Sequence, residues 1–547
     1  MRAPKARPQH HRSMIVTPQP EATDAGAVVL AEGGNAVDAA VAAALVQGVV
    51  DPLMCGVGGF ALMQLRLPDG TQLIIDGLGT CPSGISDGVW AEDLLGITSD
   101  GFGFRVRDFV NETGPQAVMT PGTLRTLMQA HDRFGSLPWS DLFAEAIRLA
   151  RTGWPVRPHV QTVLIQNEAK YGRMDFADKL GVTADGRRIY RPEGALPRLG
   201  DLVVNPELAE TLELIAERGG EDFHRGELAG VIVDSIARDG GFLSAEDLAD
   251  YVTIDREPLR ADYRGLTLCA PPSPGGGHQL LQTLGILARF PLGELVHNSA
   301  DHLQILTEAM KRAMGDREAL WNSASVTDAD YDALLEPAGL DAAAAAIRAG
   351  DRYDLEAGRV SPQPAESQHT THLNVIDADG LTVALSHTLG NPSGYIPRGT
   401  GFILNGGMST FDPRPGRTNS IAPGLRRNST MSPTIVLSED EPVMAVGAPG
   451  ASWITPGITQ AISNVLDFGM SAAEAVSAPR AVATSNAIDI SNRIPRRTET
   501  ALIAQGYQVR RSALSYAFAG VHLITRFDDG LRGGADPQRD GYAAGIG

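Results

Sequence analysis

Residues 370–388 constrain this chain more than any other stretch. Thr370-Thr371-His372 leads into two apolar-rich runs, Asn374-Val375-Ile376-Asp377 and Thr382-Val383-Ala384-Leu385, which flank Ala378-Asp379-Gly380. β-Branched residues fit a pleated strand, and a three-residue connection with glycine in the left-handed position closes a hairpin. Extended back along both strands, that register sets Thr370 opposite Thr388. A threonine at the head of such a strand has one chemical use beyond strand formation. If the chain is cut just before it, its hydroxyl becomes a nucleophile and its freed α-amine the base. A Thr-Thr pair alone carries little weight, because threonine is simply common in strands.

The sequence changes character at this point. Upstream it is helix-rich: Ala22 to Val50 contains the alanine-dense run Asn35 to Val46, which favours helix strongly. Gly56-Val57-Gly58-Gly59 then breaks the pattern before a hairpin of Phe60 to Leu67 and Gln72 to Asp76, turned by Pro68-Asp69-Gly70. Further helices are expected at Pro121 to Phe134, Leu142 to Thr152, Pro206 to Arg218, Leu228 to Asp239 and Asp301 to Leu320, with a surface helix at Ala342 to Ala349. Pro271 to His278 is too rich in proline and glycine for regular structure. Residues 351–369 are polar without apolar periodicity and read as an exposed linker ending at the threonine pair.

Downstream a second hairpin is expected. Pro433 to Leu437 and Val443 to Val446 flank an acidic turn at Glu439-Asp440-Glu441. Pairing about that turn brings Ser429-Thr430 near Pro449-Gly450-Ala451. A glycine turn after a strand can present backbone N–H groups to a developing oxyanion, although Gly450 taken alone is more often just a turn residue.

Composition narrows the function classes. A net charge of -19 over 547 residues argues against nucleic-acid binding, which needs a basic stripe. Cys55, Cys81 and Cys269 lie far apart and form neither a zinc motif nor a disulfide framework. An odd count fits a reducing compartment, and Cys55 and Cys81 read as small buried hydrophobes. His10-His11 has no second ligand cluster. Gly275-Gly276-Gly277 lacks the lysine of a phosphate loop. The basic stretch from Met1 to residue 13 has no apolar region behind it and reads as a disordered tail, and no apolar run is long enough to span a membrane. The expectation is a cytoplasmic protein without metal or cofactor.

Taken together, the pieces resemble the γ-glutamyltransferase (γ-glutamyltranspeptidase) family of N-terminal-nucleophile hydrolases. The matching segments run nearly end to end: Glu32-Gly33-Gly34-Asn35-Ala36-Val37-Asp38, Gly56-Val57-Gly58-Gly59-Phe60, Thr120-Pro121-Gly122, Asp262-Tyr263-Arg264-Gly265, Pro271 to Gly277, Glu308-Ala309-Met310-Lys311, Thr370-Thr371-His372 and Met431-Ser432-Pro433-Thr434. The resemblance implies an α+β, four-layer αββα fold with two stacked, mainly antiparallel sheets. It implies cleavage between His369 and Thr370, giving a large subunit of residues 14–369 behind the tail and a small subunit of residues 370–547, with a dimer of such heterodimers as a further possibility. It assigns Thr370 as nucleophile, Thr388 as its support, and the backbone N–H groups of Gly450 and Ala451 as the oxyanion hole.

The substrate groups depart from the family pattern. Relatives that bind a γ-glutamyl group carry an arginine where this chain has Leu78, and an aspartate where it has Thr410. An assisting asparagine is replaced by Gly390, with Asn391 adjacent, a glutamine by Gly407, and a serine pair appears as Ser429-Thr430. Losing a charge-assisted arginine contact costs about 2–5 kcal/mol when its partner is buried, whereas a backbone oxyanion contact survives Gly→Ala at Ala451. The expected substrate is therefore a small amide whose acyl group is not γ-glutamyl, with an oxamate-like monoamide as first choice. A cation for its carboxylate is to be sought in Arg398, in Arg426-Arg427 beside Asn428, or in Arg107. The alternatives are a γ-glutamyl hydrolase or transpeptidase, and an unprocessed, non-catalytic scaffold.

Overall fold

The computed structural model describes residues 11–99, 101, 103–355, 369–527 and 530–547. Most of the expected tail (residues 1–10) and most of the expected linker (residues 356–368) lie outside the described residues. Two expectations at their edges need correction. Ser13 belongs to the first strand, Ser13–Thr17, because its ladder partner is the C-terminal strand Tyr542–Ile546. His369 is buried, at 1% exposure, not part of an exposed linker.

Two sheets dominate. The first runs in the order Tyr542–Ile546, Ser13–Thr17, Thr371–Ile376, Thr382–Thr388, Phe60–Arg66, Gln72–Gly77, Ile254–Arg256. The second runs Gly530–Ala535, His522–Phe527, Glu441–Gly447, Thr434–Ser438, Leu266–Ala270, Leu259–Tyr263. Every neighbouring pair in both is antiparallel. The central hairpin has the expected register, with Thr371 opposite His387 and Ile376 opposite Thr382, and Gly380 takes φ 86° in its turn.

Alternation along the central strands explains the layering. Leu373, Val375, Val383 and Leu385 are fully buried against the helical layer that includes Ala36–Val50. Each such side chain contributes about 1.5–3 kcal/mol on burial. The intervening His372, Asn374, Ile376, Ala384 and Ser386 face the second sheet. There Asn374 donates from Nδ2 to His522 O at 2.9 Å. The sheets approach closely enough that a Cβ on Gly447 would stand 2.1 Å from the His372 ring. Gly277–Leu287 and Ile454–Leu466 cover the outer face of the second sheet. This is the αββα arrangement.

Local differences from expectation have identifiable causes. The stretch from Ala22 to Val50 is two helices, Pro20–Ala31 and Ala36–Val50. Gly33, at φ 95°, breaks the first, and Asn35 starts the second with a capping box, accepting from Val37 N and Asp38 N while Asp38 accepts from Asn35 N. The acidic turn is shorter than expected. Glu439 and Asp440, with φ 48° and 71°, form a two-residue turn, and Glu441 pairs within the strand opposite Ser438. A register shift at Val436/Leu437 absorbs the difference. Gly277 and His278 are helical, closing the expected irregular stretch early. The alanine-rich helix spans Pro337–Arg348 and buries Leu340, Ala344 and Ile347.

Candidate active site

Thr370 stands just before the strand Thr371–Ile376 and is 4% exposed. Its φ is 90°, an uncommon conformation for a β-branched residue that costs about 1–3 kcal/mol and persists only where the surroundings impose it. They do so from three sides. Thr370 Oγ1 donates to Thr388 Oγ1 at 3.1 Å. Gly450 N donates to His369 O at 3.1 Å, and Arg539 Nη1 donates to Thr370 O at 3.3 Å. Thr388 Oγ1 also accepts from Gly390 N at 2.8 Å, which fixes its lone pairs.

Gly450 has φ 135°, and a Cβ there would lie 2.9 Å from the Ala519 backbone, so glycine is required. Ala451 (φ 50°) begins the turn Ala451–Trp453, which leads into helix Ile454–Leu466. The Gly450-Ala451 peptide therefore sits at a helix N-terminus, where N–H groups and the helix dipole favour negative charge. Thr430 Oγ1 donates to Ala451 O at 2.8 Å, and Ser429 Oγ accepts from Met431 N at 3.1 Å. The second hairpin thus brings Ser429-Thr430 to the Gly450 turn, as its pairing predicts.

The other expected residues are placed unequally. Asn391 is buried and accepts a short hydrogen bond from Lys179 Nζ, which also pairs with Glu112 at 2.7 Å. Gly407 packs on Met119, and its carbonyl accepts from Thr410 Oγ1 at 3.0 Å. Leu78 is fully buried in the core that also holds Phe60 and Leu62, so its side chain belongs to packing rather than to an open pocket. Cys81 is buried in a separate cluster with Met119, Met408 and Phe411, and burial pushes its thiol up to about 12. Of the expected cations, Arg107 pairs with Asp93 at an exposed position, and Arg398 is exposed. Arg426 is held by Asp76, Leu78 O, Tyr251 and Val252 O. Arg427 is different: it is buried, and its Nε donates to Thr410 Oγ1 at 3.1 Å.

Several contributors carry no local sequence signal. Arg539, His159 and Asp51 form a buried group behind Thr370, with Arg539 Nη1 3.2 Å from His159 Nε2 and His159 Nε2 3.6 Å from Asp51. Phe176 stacks edge-on against His369. Burial, and then the charges of Arg173, Lys179, Arg539 and Arg427, hold the His369 imidazole well below its usual pKa. The junction at Thr370 is thus strongly disfavourable to added positive charge. Among the described residues no cluster of metal-ligating side chains occurs, and no helix is long and apolar enough to cross a membrane.

A buried threonine at the head of an inner strand of an αββα sandwich defines the N-terminal-nucleophile hydrolase class. The gamma-glutamyltranspeptidase family profile matches residues 22–546, and the chain belongs to that family as an N-terminal-threonine amidohydrolase. The acylase ACY 1 proenzyme of Pseudomonas sp. (strain V22) is 36% identical over 541 residues, covering 98% of this chain and 94% of that protein. The glutathione hydrolase proenzyme of Escherichia coli (strain K12) is 32% identical over 485 residues, covering 86% and 80%. Among solved structures, the cephalosporin acylase from Bacillus halodurans superimposes with a TM-score of 0.83 at 28% identity, covering 100% of this chain and 99% of that one.

Proposed function

We propose that the chain is a precursor that cleaves itself between His369 and Thr370, and that the new N-terminal threonine then hydrolyses a small amide through an acyl-enzyme. The observation that carries this reading is the Gly450 N–H already seated on the His369 carbonyl, with the Thr370 hydroxyl oriented by Thr388. In processing, Thr370 Oγ attacks the His369 carbonyl carbon and its proton passes to the departing Thr370 nitrogen. Water then hydrolyses the resulting ester. This leaves residues 1–369 and 370–547 as two subunits, and vacates the oxyanion position for substrate.

In turnover the Thr370 hydroxyl attacks the amide carbonyl and gives its proton to its own α-amine. The oxyanion takes the N–H groups of Gly450 and Ala451. The α-amine protonates the leaving amine as the C–N bond breaks. Water adds to the threonyl ester, the acid departs and the hydroxyl is restored. Proenzyme relatives support the processing step. The family's arginine and aspartate are absent at Leu78 and Thr410, which supports an acyl group other than γ-glutamyl, with an oxamate-like monoamide as first choice. A second reading, γ-glutamyl or bulkier acyl amides, is favoured by relatives named glutathione hydrolase and cephalosporin acylase.

Ammonia release from oxamate, assayed beside γ-glutamyl-p-nitroanilide, separates the two. Faster turnover of the γ-glutamyl compound selects the second. An unprocessed scaffold would give a single full-length band on denaturing electrophoresis and no turnover of either.

A further inference from the structure

The helix Ala36–Val50 packs on the central hairpin of the first sheet. By alternation Thr371 points the same way as Leu373 and Val375, towards that helix. Gln47 meets it there. Gln47 Nε2 donates to Thr371 Oγ1 at 3.1 Å, and Gln47 Oε1 accepts from His387 Nε2 at 2.8 Å. Thr371 and His387 are ladder partners, forming the rung next to the Thr370–Thr388 contact. One amide therefore ties both strands together beside the nucleophile. Gln47 Nε2 also donates to Gln19 Oε1 at 2.8 Å, and Gln19 Nε2 donates to Asp51 Oδ2 at 2.7 Å. Asp51 directly follows the helix, and every side chain along this path is buried.

The same carboxylate serves a second arm. Asp51 Oδ2 lies 3.6 Å from His159 Nε2, which lies 3.2 Å from Arg539 Nη1, and Arg539 Nη1 donates to Thr370 O at 3.3 Å. A guanidinium only donates, so His159 Nε2 is the acceptor and the imidazole is neutral. Burial, and then the Arg539 charge, lower the His159 pKa accordingly. Burial lowers the Arg539 pKa to about 10, and Asp51, ahead of Asp536, opposes that shift. Asp536 also pairs with Arg480, and Asp540 accepts from His159 N at 2.9 Å. We propose that Asp51 is a positioning residue for Thr370: it anchors Gln19 and Gln47 on the Thr371–His387 rung and balances the charge of Arg539 on the Thr370 carbonyl. The strained threonine, at φ 90°, is then held on both arms by one buried anion. The proposal rests on the reading that Thr370 is the acylated nucleophile. Asp51 acts through these side chains, and its charge bears on the α-amine that cleavage frees.

The test compares wild type with D51N, which keeps the shape and an acceptor for Gln19 but removes the charge. It adds Q47M, which removes the Gln47 arm and no charge. Cleavage is timed on denaturing gels after cell-free synthesis, and turnover by the processed protein is measured with oxamate and with γ-glutamyl-p-nitroanilide. Each variant should slow cleavage and lower kcat by about tenfold or more, with KM held within about twofold, since a positioning residue binds no substrate. Only D51N should move the acid limb of kcat/KM, by about half a unit to lower pH, because losing a nearby negative charge further disfavours the protonated α-amine. A merely structural role would lower the denaturation midpoint and the yield of active protein but leave the limb in place. That outcome, or wild-type cleavage and kcat in D51N, overturns the proposal and leaves the Thr370 reading intact. If D51N does not fold, Q47M decides, and wild-type cleavage and kcat in Q47M overturn the proposal. Where neither amide is turned over, the cleavage rates decide alone. Wild type that stays a single chain removes the Thr370 reading, and the proposal falls with it.

Discussion

Gly450 donates its backbone N–H to the carbonyl of His369 at 3.1 Å. In the mechanism proposed above, that N–H receives the substrate oxyanion and the His369–Thr370 bond is the one cut, so processing and turnover would share one oxyanion position. Thr370→Ala should leave a single full-length chain, because the attacking hydroxyl is gone while the hole remains. Thr370→Ser should still process, more slowly, giving fragments 1–369 and 370–547. Electrophoresis and intact mass of both variants check this. Two fragments from Thr370→Ala would remove Thr370 from the reaction.

The contact between Thr370 and Thr388 makes a second demand. Thr388 Oγ1 accepts from both Thr370 Oγ1 and Gly390 N. Thr388→Val keeps the shape and strands both donors, at about 1–3 kcal/mol. Processing rate and kcat should each fall roughly 10- to 100-fold, and Thr388→Ser should restore most of both. Time courses of precursor cleavage and steady-state kinetics measure the two separately.

Local patterns make part of this site legible in the sequence. Glycine in the turn at Gly380 and strict alternation fixed the Thr370–Thr388 pairing, because a slip of one residue would have turned Leu373 and Val375 away from the helices. The Ser429-Thr430 approach to Gly450 followed from the second hairpin in the same way. The turn at Glu439-Asp440 is one residue shorter than its sequence suggests, since acidic residues at positive φ look no different in sequence from a longer loop. Arg539, Lys179 and Asp51 were illegible for another reason. They reach the junction through tertiary packing across separations such as the 169 residues between Arg539 and Thr370, and no local periodicity encodes that. Leu78 and Thr410 mark where charges differ from the family pattern, but that Arg426 holds Leu78 O and Arg427 holds Thr410 Oγ1 is visible only in the fold.

The electrostatics of the junction bear on the base. Arg173, Lys179, Arg427 and Arg539 all disfavour positive charge at His369, while Glu168 and Glu112 are paired with Arg173 and Lys179. In the proposed mechanism, cleavage frees the Thr370 α-amine one peptide away. Its protonated form should be penalised, so that it is free base below the ordinary α-amine pKa of about 7.7–8.0. The acid limb of kcat/KM against pH should accordingly lie below that range. A limb at or above it would mean that the cations are screened from the amine.

Buried histidines give the fold itself a pH dependence. Burial pushes His372 and His224 down to about 4, and His387 and His302 down to about 3. Unfolded, each would titrate near 6.5. Between those values the unfolded chain binds more protons than the folded one, so stability is full above about pH 6.5 and falls on acidification. Each histidine contributes a slope of about 1.4 kcal/mol per pH unit in that window. Denaturant midpoints should drop steeply from pH 6.5 to 4.5 and be nearly level from 7 to 8. A flat acidic profile would require these imidazoles to be charged in the fold.

Lys179 and Glu112 test how the site wall is held. The pair is buried at 2.7 Å, and Lys179 also donates to Asn391. Burial lowers the Lys179 pKa, with Glu112 opposing the shift. Lys179→Met removes one partner and leaves a buried carboxylate uncompensated, which costs about 3–5 kcal/mol. Adding Glu112→Leu replaces the second charge by an apolar side chain and should recover most of that stability. Activity should not recover with it, because Asn391 has lost its donor in both variants and the loop after Gly390 is no longer fixed beside Thr388. The comparison therefore separates folding from positioning: denaturation midpoints should rise again in the double variant while kcat/KM stays reduced. Parallel recovery of both would show that Lys179 serves packing alone.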